Sequence, residues 1–138
     1  MAELLERALI IDDESEICLN LKDVLEFEGF QAEYVTTAKE ALERLERETF
    51  EFILVDIKLE GRISGLDIIK SFREKSKRPK IIVISAIPQD ALEPSFEKEG
   101  IVHLLDGYLD KPACSNPEIL MRMVKRVLKN NEGMSHAE

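Results

Sequence analysis

The chain has 138 residues, 44% of them hydrophobic, enough for one domain with a real core and too many for a chain disordered throughout. Lys and Arg total 19 and Asp and Glu total 28, a net charge of −9, which argues against a nucleic-acid-gripping or anionic-membrane-binding face. The apolar runs are too short to span a bilayer, the first residues have no signal-peptide pattern, and Cys18 and Cys114, far apart and without a CxxC partner, read as reduced cytoplasmic thiols.

Taken in order, Leu9-Ile10-Ile11 is a first buried strand that ends at Asp12-Asp13. Ser15 is a candidate N-cap for a first helix that carries Ile17, Leu21, Val24 and Leu25 at helical spacing and stops at Gly29. Residues 31–35 form a second strand. Thr36 and Thr37 offer caps for a second helix with Ala38, Ala41, Leu42 and Leu45 on its buried face. Phe52-Ile53-Leu54-Val55 is a continuous apolar run rich in β-branched residues, the mark of a central strand buried on both faces, and it runs into Asp56. Gly65 opens a third helix with Leu66, Ile68, Ile69 and Phe72, whose polar end at residues 75–78 precedes Pro79. Lys80-Ile81-Ile82-Val83-Ile84-Ser85 is a fourth strand. Pro88 and Pro94 limit the fourth helix. A proline is best tolerated in a first helical turn, so the expected start lies near Glu93. Residues 101–105 are apolar and ambiguous between helix and strand. Tyr108-Leu109-Asp110 is a short fifth strand ending at Lys111-Pro112, and Asn116 caps a last helix at Pro117. The expected domain is residues 1–130, with 131–138 a polar, disordered tail.

Five strands alternating with five helices imply a doubly wound α/β fold, a parallel sheet covered on both faces, in the flavodoxin-like order 2-1-3-4-5. With the strands parallel, Asp12, Asp13, Asp56, Ser85 and Lys111 fall on one rim. Each alone has an ordinary explanation: an Asp pair after a strand as a turn or cap, Ser85 as a helix cap, Lys111 as a surface lysine. Together they are harder to obtain by chance. Three close carboxylates repel unless a cation joins them, and magnesium suits oxygen ligands of this kind. A carboxylate nucleophile, a metal, an ammonium and a hydroxyl form a site for receiving a phosphoryl group.

These residues resemble the receiver domain of two-component response regulators. The resemblance is carried by Ile10-Ile11-Asp12-Asp13-Glu14, Leu54-Val55-Asp56, Ser64-Gly65-Leu66, Val83-Ile84-Ser85-Ala86 and Gly107-Tyr108-Leu109-Asp110-Lys111-Pro112, and it covers residues 8–130. It implies that Asp56 takes a phosphoryl group from a histidine kinase or phosphotransfer protein. It also implies that Asp13, Asp56 and the backbone carbonyl of Lys58 hold Mg2+, with Asp12 acting through water. Ser85 and Lys111 would contact the phosphoryl oxygens, Tyr108 would swing inward on activation, and the Lys111–Pro112 bond would be cis. Output would pass to a downstream effector protein or fused output domain. Two departures from the family pattern stand out: the loop after Asp56 lacks the usual proline and is longer, and so is the stretch from Ser85 to Lys111.

Other functions fit less well. A magnesium phosphatase of the haloacid-dehalogenase type wants a second Asp two residues after the nucleophile, where this chain has Lys58. A flavin module wants a phosphate-cradling loop where Asp12-Asp13-Glu14 would repel phosphate. A receiver-like scaffold that binds partners without phosphorylation gives no reason for all five rim residues.

Overall fold

The computed structural model describes residues 5–58 and 64–133. The unusual loop after Asp56 therefore lies outside the described residues, as does the end of the expected tail. Five strands, β1 (Arg7–Ile11), β2 (Gln31–Val35), β3 (Phe52–Asp56), β4 (Lys80–Ser85) and β5 (Gly107–Asp110), form one parallel sheet in the order β2-β1-β3-β4-β5. This is the expected flavodoxin-like order.

The alternating pleat divides the core into two layers. Leu9, Ile11, Ile53, Val55, Ile81 and Val83 face α2 (Ala38–Arg47), α3 (Gly65–Lys70) and α4 (Gln89–Glu99). Ala8, Ile10, Phe52, Leu54, Ile82 and Ile84 face α1 (Ser15–Phe27), α5 (Lys111–Cys114) and α6 (Pro117–Gly133). Every residue of β3 is buried, which is why its sequence shows no polar alternation.

Several element ends differ from expectation for local reasons. The N-cap of α1 is Glu14, not Ser15, and its side chain makes no capping bond. Thr37 does cap α2, its hydroxyl accepting from the Glu40 N–H at 3.1 Å. Helix α3 ends at Lys70 and continues as turns, so it is shorter than its apolar pattern suggested. Gly65 is required by close approach: a Cβ there would fall on the Asp56 carbonyl oxygen and 2.8 Å from Ile57 Cα. The ambiguous stretch after α4 contains a 3-10 turn, Val102–Leu104.

Helix α4 begins at Gln89, not near Glu93, and Pro94 lies inside it. Pro94 is exposed, so the carbonyl it leaves without a donor can turn to water. Buried Phe96, a Lys70–Glu99 ion pair at 2.9 Å and Gly100 in the left-handed conformation (φ 70°) secure the other end of the helix.

The Lys111–Pro112 bond is trans, not cis. The chain turns from β5 directly into α5, where the missing proline N–H falls in the first turn and the Asp110 carboxylate accepts from the Ala113 N–H at 2.8 Å. That short turn adds a sixth helix to the five expected. Asn116 then caps α6 as expected, accepting from the N–H groups of Glu118 and Ile119 at 2.9 and 3.2 Å. Helix α6 runs past the expected boundary at Asn130 to Gly133. No helix among the described residues is long and apolar enough to cross a membrane.

An ionic network ties β1, β2 and α2 together at the amino end of the sheet. Arg7 bonds Glu33 at 3.0 Å and Glu48 at 2.7 Å, and Arg44 bonds the same two carboxylates. The Arg7 guanidinium also lies over the Phe50 ring, its carbon 4.5 Å from the centroid, and its Nε is buried without a hydrogen bond. Hydrogen bonds from Arg44 first, then Arg7, hold the Glu48 carboxyl down at about 2, against an ordinary 4.5. The folded carboxyl is the more acidic one, so its contribution is fully present above pH 4.5 and is lost as pH falls through 2. We expect Glu48→Gln to lower the urea midpoint at neutral pH and to flatten the decline below pH 4.5. Parallel acid limbs in the two proteins would contradict this.

Candidate functional site

The rim at the carboxyl ends of the strands is set by register. Ile11 pairs with Val55, so Asp12 emerges beside Asp56, and Ser85 pairs with Asp110, which brings Lys111 to the same edge. Asp12, Asp56 and Ser85 are the buried polar residues of the described chain, at 0%, 2% and 1% exposure. Asp13 is half-buried. One carboxylate oxygen from each of Asp12, Asp13 and Asp56 lies within 4.8 Å of the others.

Lys111 is the counter-charge. Its Nζ lies 3.0 Å from Asp56 Oδ2, 3.2 Å from Asp12 Oδ2 and 3.2 Å from Glu14 Oε1. Burial alone would lower the lysine pKa, but its bond to Asp56 and the charges of Asp56 and Asp12 hold it above the ordinary value. Burial drives the Asp12 carboxyl up to about 6, with Asp56 pushing the same way and the Glu14 N–H and Lys111 opposing. Burial raises Asp56 too, against its bonds to Lys111 and to the Lys58 N–H. Desolvation thus outweighs the Lys111 ammonium at both buried carboxyls, so among the described residues the cluster is short of positive charge.

The fit to a hard cation can be judged from the donors themselves. Asp12 Oδ2 is buried and accepts no hydrogen bond, while the Lys111 ammonium, 3.2 Å from it, donates to Oδ1 at 3.4 Å. An acceptor left in this way, beside two further carboxylates and no nitrogen or sulfur ligand, suits magnesium.

The other expected residues divide between this cleft and its wall. Lys58 lines the cleft, and its N–H donates to Asp56 Oδ1 at 3.1 Å. The Ser85 hydroxyl faces the same space and accepts from the Ile87 N–H at 3.0 Å. Tyr108 lines a separate groove beside α4 and α6. Its hydroxyl donates to the carbonyl oxygen of Ile87, so the ring already leans toward the β4–α4 loop. Ile87 is thus gripped on its N–H by Ser85 and on its carbonyl by Tyr108.

Sequence reasoning did not give Ile87, Glu14, Cys18 or Cys114 a place at the site. Ile87 acts through its backbone, which leaves no residue-type signal. Glu14 was visible only as the third acid of its run. The two cysteines are free and buried, and their thiols donate to the carbonyls of Asp12 at 3.2 Å and Lys111 at 3.0 Å. Burial pushes Cys18 up to about 12 and Cys114 up to about 11, so both are unreactive braces for the site backbone.

Known proteins resemble the chain in sequence and in fold. A sequence model of the response regulator receiver domain matches residues 8–134. The chain is 32% identical over 121 residues to the transcriptional regulatory protein QseB of Escherichia coli O157:H7, covering 84% of this chain and 53% of that protein. It is 27% identical over 126 residues to the phosphate regulon transcriptional regulatory protein PhoB of Rhizobium meliloti, covering 91% of this chain and 53% of that protein. The chain therefore spans about half the length of these curated relatives. Among solved structures, a CheY-like response regulator receiver domain protein from Methanospirillum hungatei superposes with a TM-score of 0.81 at 30% identity, over 95% of this chain and 99% of that one. With a buried strand-end aspartate, an acidic cluster, a paired lysine and a family match across nearly the whole chain, the protein belongs to the response regulator receiver domain family.

Proposed function

We propose that the domain is a phosphorylation-activated signalling switch and that Asp56 is its phosphoacceptor. The observation that carries the assignment is the position of Asp56: buried at the end of the central strand, open to the acidic cleft, with the Lys111 ammonium 3.0 Å from one carboxylate oxygen and the Lys58 N–H on the other. The donor is a histidine kinase or phosphotransfer protein. A carboxylate oxygen of Asp56 forms the new bond to phosphorus as the bond from phosphorus to the donor imidazole breaks. The domain is an acceptor that assists its own transfer, working in the cytoplasm.

Asp13, Asp56 and the Lys58 carbonyl would hold magnesium, with Asp12 reaching it through water. When bound, the ion supplies positive charge against the oxygens of the incoming group. Lys111 supplies a further fixed positive charge, and the Ser85 hydroxyl is placed to turn from Ile87 and donate to a phosphoryl oxygen. Release of the Ile87 N–H would leave that residue held by Tyr108 alone. The β4–α4 loop would then settle in a second position and change the surface beside α4. A downstream effector or fused output domain would read that change, consistent with relatives that are longer than this chain.

Acetyl phosphate and magnesium should add one phosphoryl mass to the wild type and none to Asp56→Asn by intact-mass spectrometry. Modification that persists in the variant rules Asp56 out.

Asp13→Ala should weaken magnesium binding by at least about tenfold, since a direct ligand should matter no less than an outer partner, and Asp12→Ala should weaken it less. Calorimetric titration giving Asp13→Ala the wild-type affinity would refute the ligand assignment.

Beryllofluoride, a mimic of aspartyl phosphate, should move the amide resonances of Ile87 and Tyr108 in the wild type and move Ile87 less in Ser85→Ala. If neither resonance moves in the wild type, the pair has no part in the switch.

A further inference from the structure

An ammonium has three N–H donors. Three carboxylates surround it in Lys111: the ammonium donates to Glu14 Oε1 at 3.2 Å and to Asp12 Oδ1 at 3.4 Å, and its Nζ lies 3.0 Å from Asp56 Oδ2. A phosphoryl oxygen that takes a bond from Lys111 must displace one of them. The three differ in what displacement costs. The side chains of Asp12 and Asp56 are 0% and 3% exposed, so losing the ammonium would strand a charge away from water, in Asp56 for as long as its carboxylate has not yet become the acyl phosphate. Glu14 is 58% exposed, and water can solvate it at once. Its backbone tells the same story. Glu14 occupies the N-cap of α1 in an extended conformation, yet its side chain makes no capping bond and reaches Lys111 instead.

We propose that Glu14 is the displaceable partner of Lys111: it occupies the third donor of the ammonium in the resting protein and gives it up when a phosphoryl oxygen arrives. The inference rests on Asp56 as the phosphoacceptor. Glu14 is a positioning residue here, acting on phosphoryl transfer through Lys111. It does not anchor the lysine, because Asp12 and Asp56 hold the ammonium without it. Its presence should therefore slow acceptance, by competing for the donor and by adding a negative charge near an anionic phosphodonor.

The test compares initial rates of phosphoryl incorporation from acetyl phosphate and magnesium, read by intact mass, in wild type, Glu14→Gln, Glu14→Asp and Asp56→Asn. Thermal midpoints confirm that each is folded. At low ionic strength Glu14→Gln should be faster than wild type by on the order of fivefold, the scale of one removed charge at partly screened contact range. At about 1 M salt the Debye length falls to ~3 Å and the general charge effect disappears, but the gain from the weaker hold of a neutral amide oxygen on the donor should persist. Glu14→Asp keeps the charge and shortens the reach, so it should lie between wild type and Glu14→Gln. The proposal is overturned if Glu14→Gln matches or falls below wild type. It is also overturned if the gain vanishes in high salt while Glu14→Asp equals wild type, which would leave only a general charge effect. Incorporation into Asp56→Asn would instead refute the phosphoacceptor assignment itself.

Discussion

The structure turns on one electrostatic shortage. Three aspartates meet at the ends of adjacent strands, and among the described residues the cation paired with the buried two is the ammonium of Lys111. Register makes the meeting unavoidable, since Ile11 beside Val55 places Asp12 beside Asp56 whatever the helices do. Burial then makes it costly, raising both carboxyls against the pull of the lysine. A fold optimised for stability alone would relieve this cluster with amides or apolar residues. Here two thiols brace the backbone at Asp12 and Lys111, and a helix packs so closely on the Asp56 carbonyl that only glycine fits at its start. The scaffold holds the acids together against their mutual repulsion, the preorganisation expected of a site built to receive a cation and an anion together.

The opposite end of the sheet solves a different problem with similar residues. Arg7, Glu33, Arg44 and Glu48 form a matched set of two cations and two anions, and the hydrogen bonds stabilise the charged forms. The contrast between the two ends lies in charge balance. The balanced cluster welds β1, β2 and α2, while the unbalanced one stays responsive to what binds.

How much of this could be read from the sequence depended on the kind of interaction. The sheet order and core followed from apolar runs such as Phe52-Ile53-Leu54-Val55, because strands buried on both faces leave a pattern that few other structures share. The rim residues were legible because parallel strands convert "end of strand" into "same place". Helix ends fared worse. Pro94 pointed to a later start for α4, but buried Phe96 and the Lys70–Glu99 pair outweigh one missing backbone bond on an exposed face. Pro112 belongs to a trans turn opened by the Asp110 cap. Glu14 escaped notice as a site residue because its role depends on Lys111, far along the chain, and Ile87 because its role is carried by its peptide groups.

Pro94 gives α4 an asymmetry of its own. The proline breaks the ladder between the first turns and the rest of the helix, whereas Phe96, Glu99 and Gly100 fasten the far end. The helix is therefore fastened at the Glu99 end, and its first turns follow directly on Ile87, the residue that Ser85 and Tyr108 both hold. A shift of that peptide would bear on the end of the helix that lacks those fastenings. Under the proposed switch, motion begun at the acidic rim would reach the first turns of α4 before its fastened end.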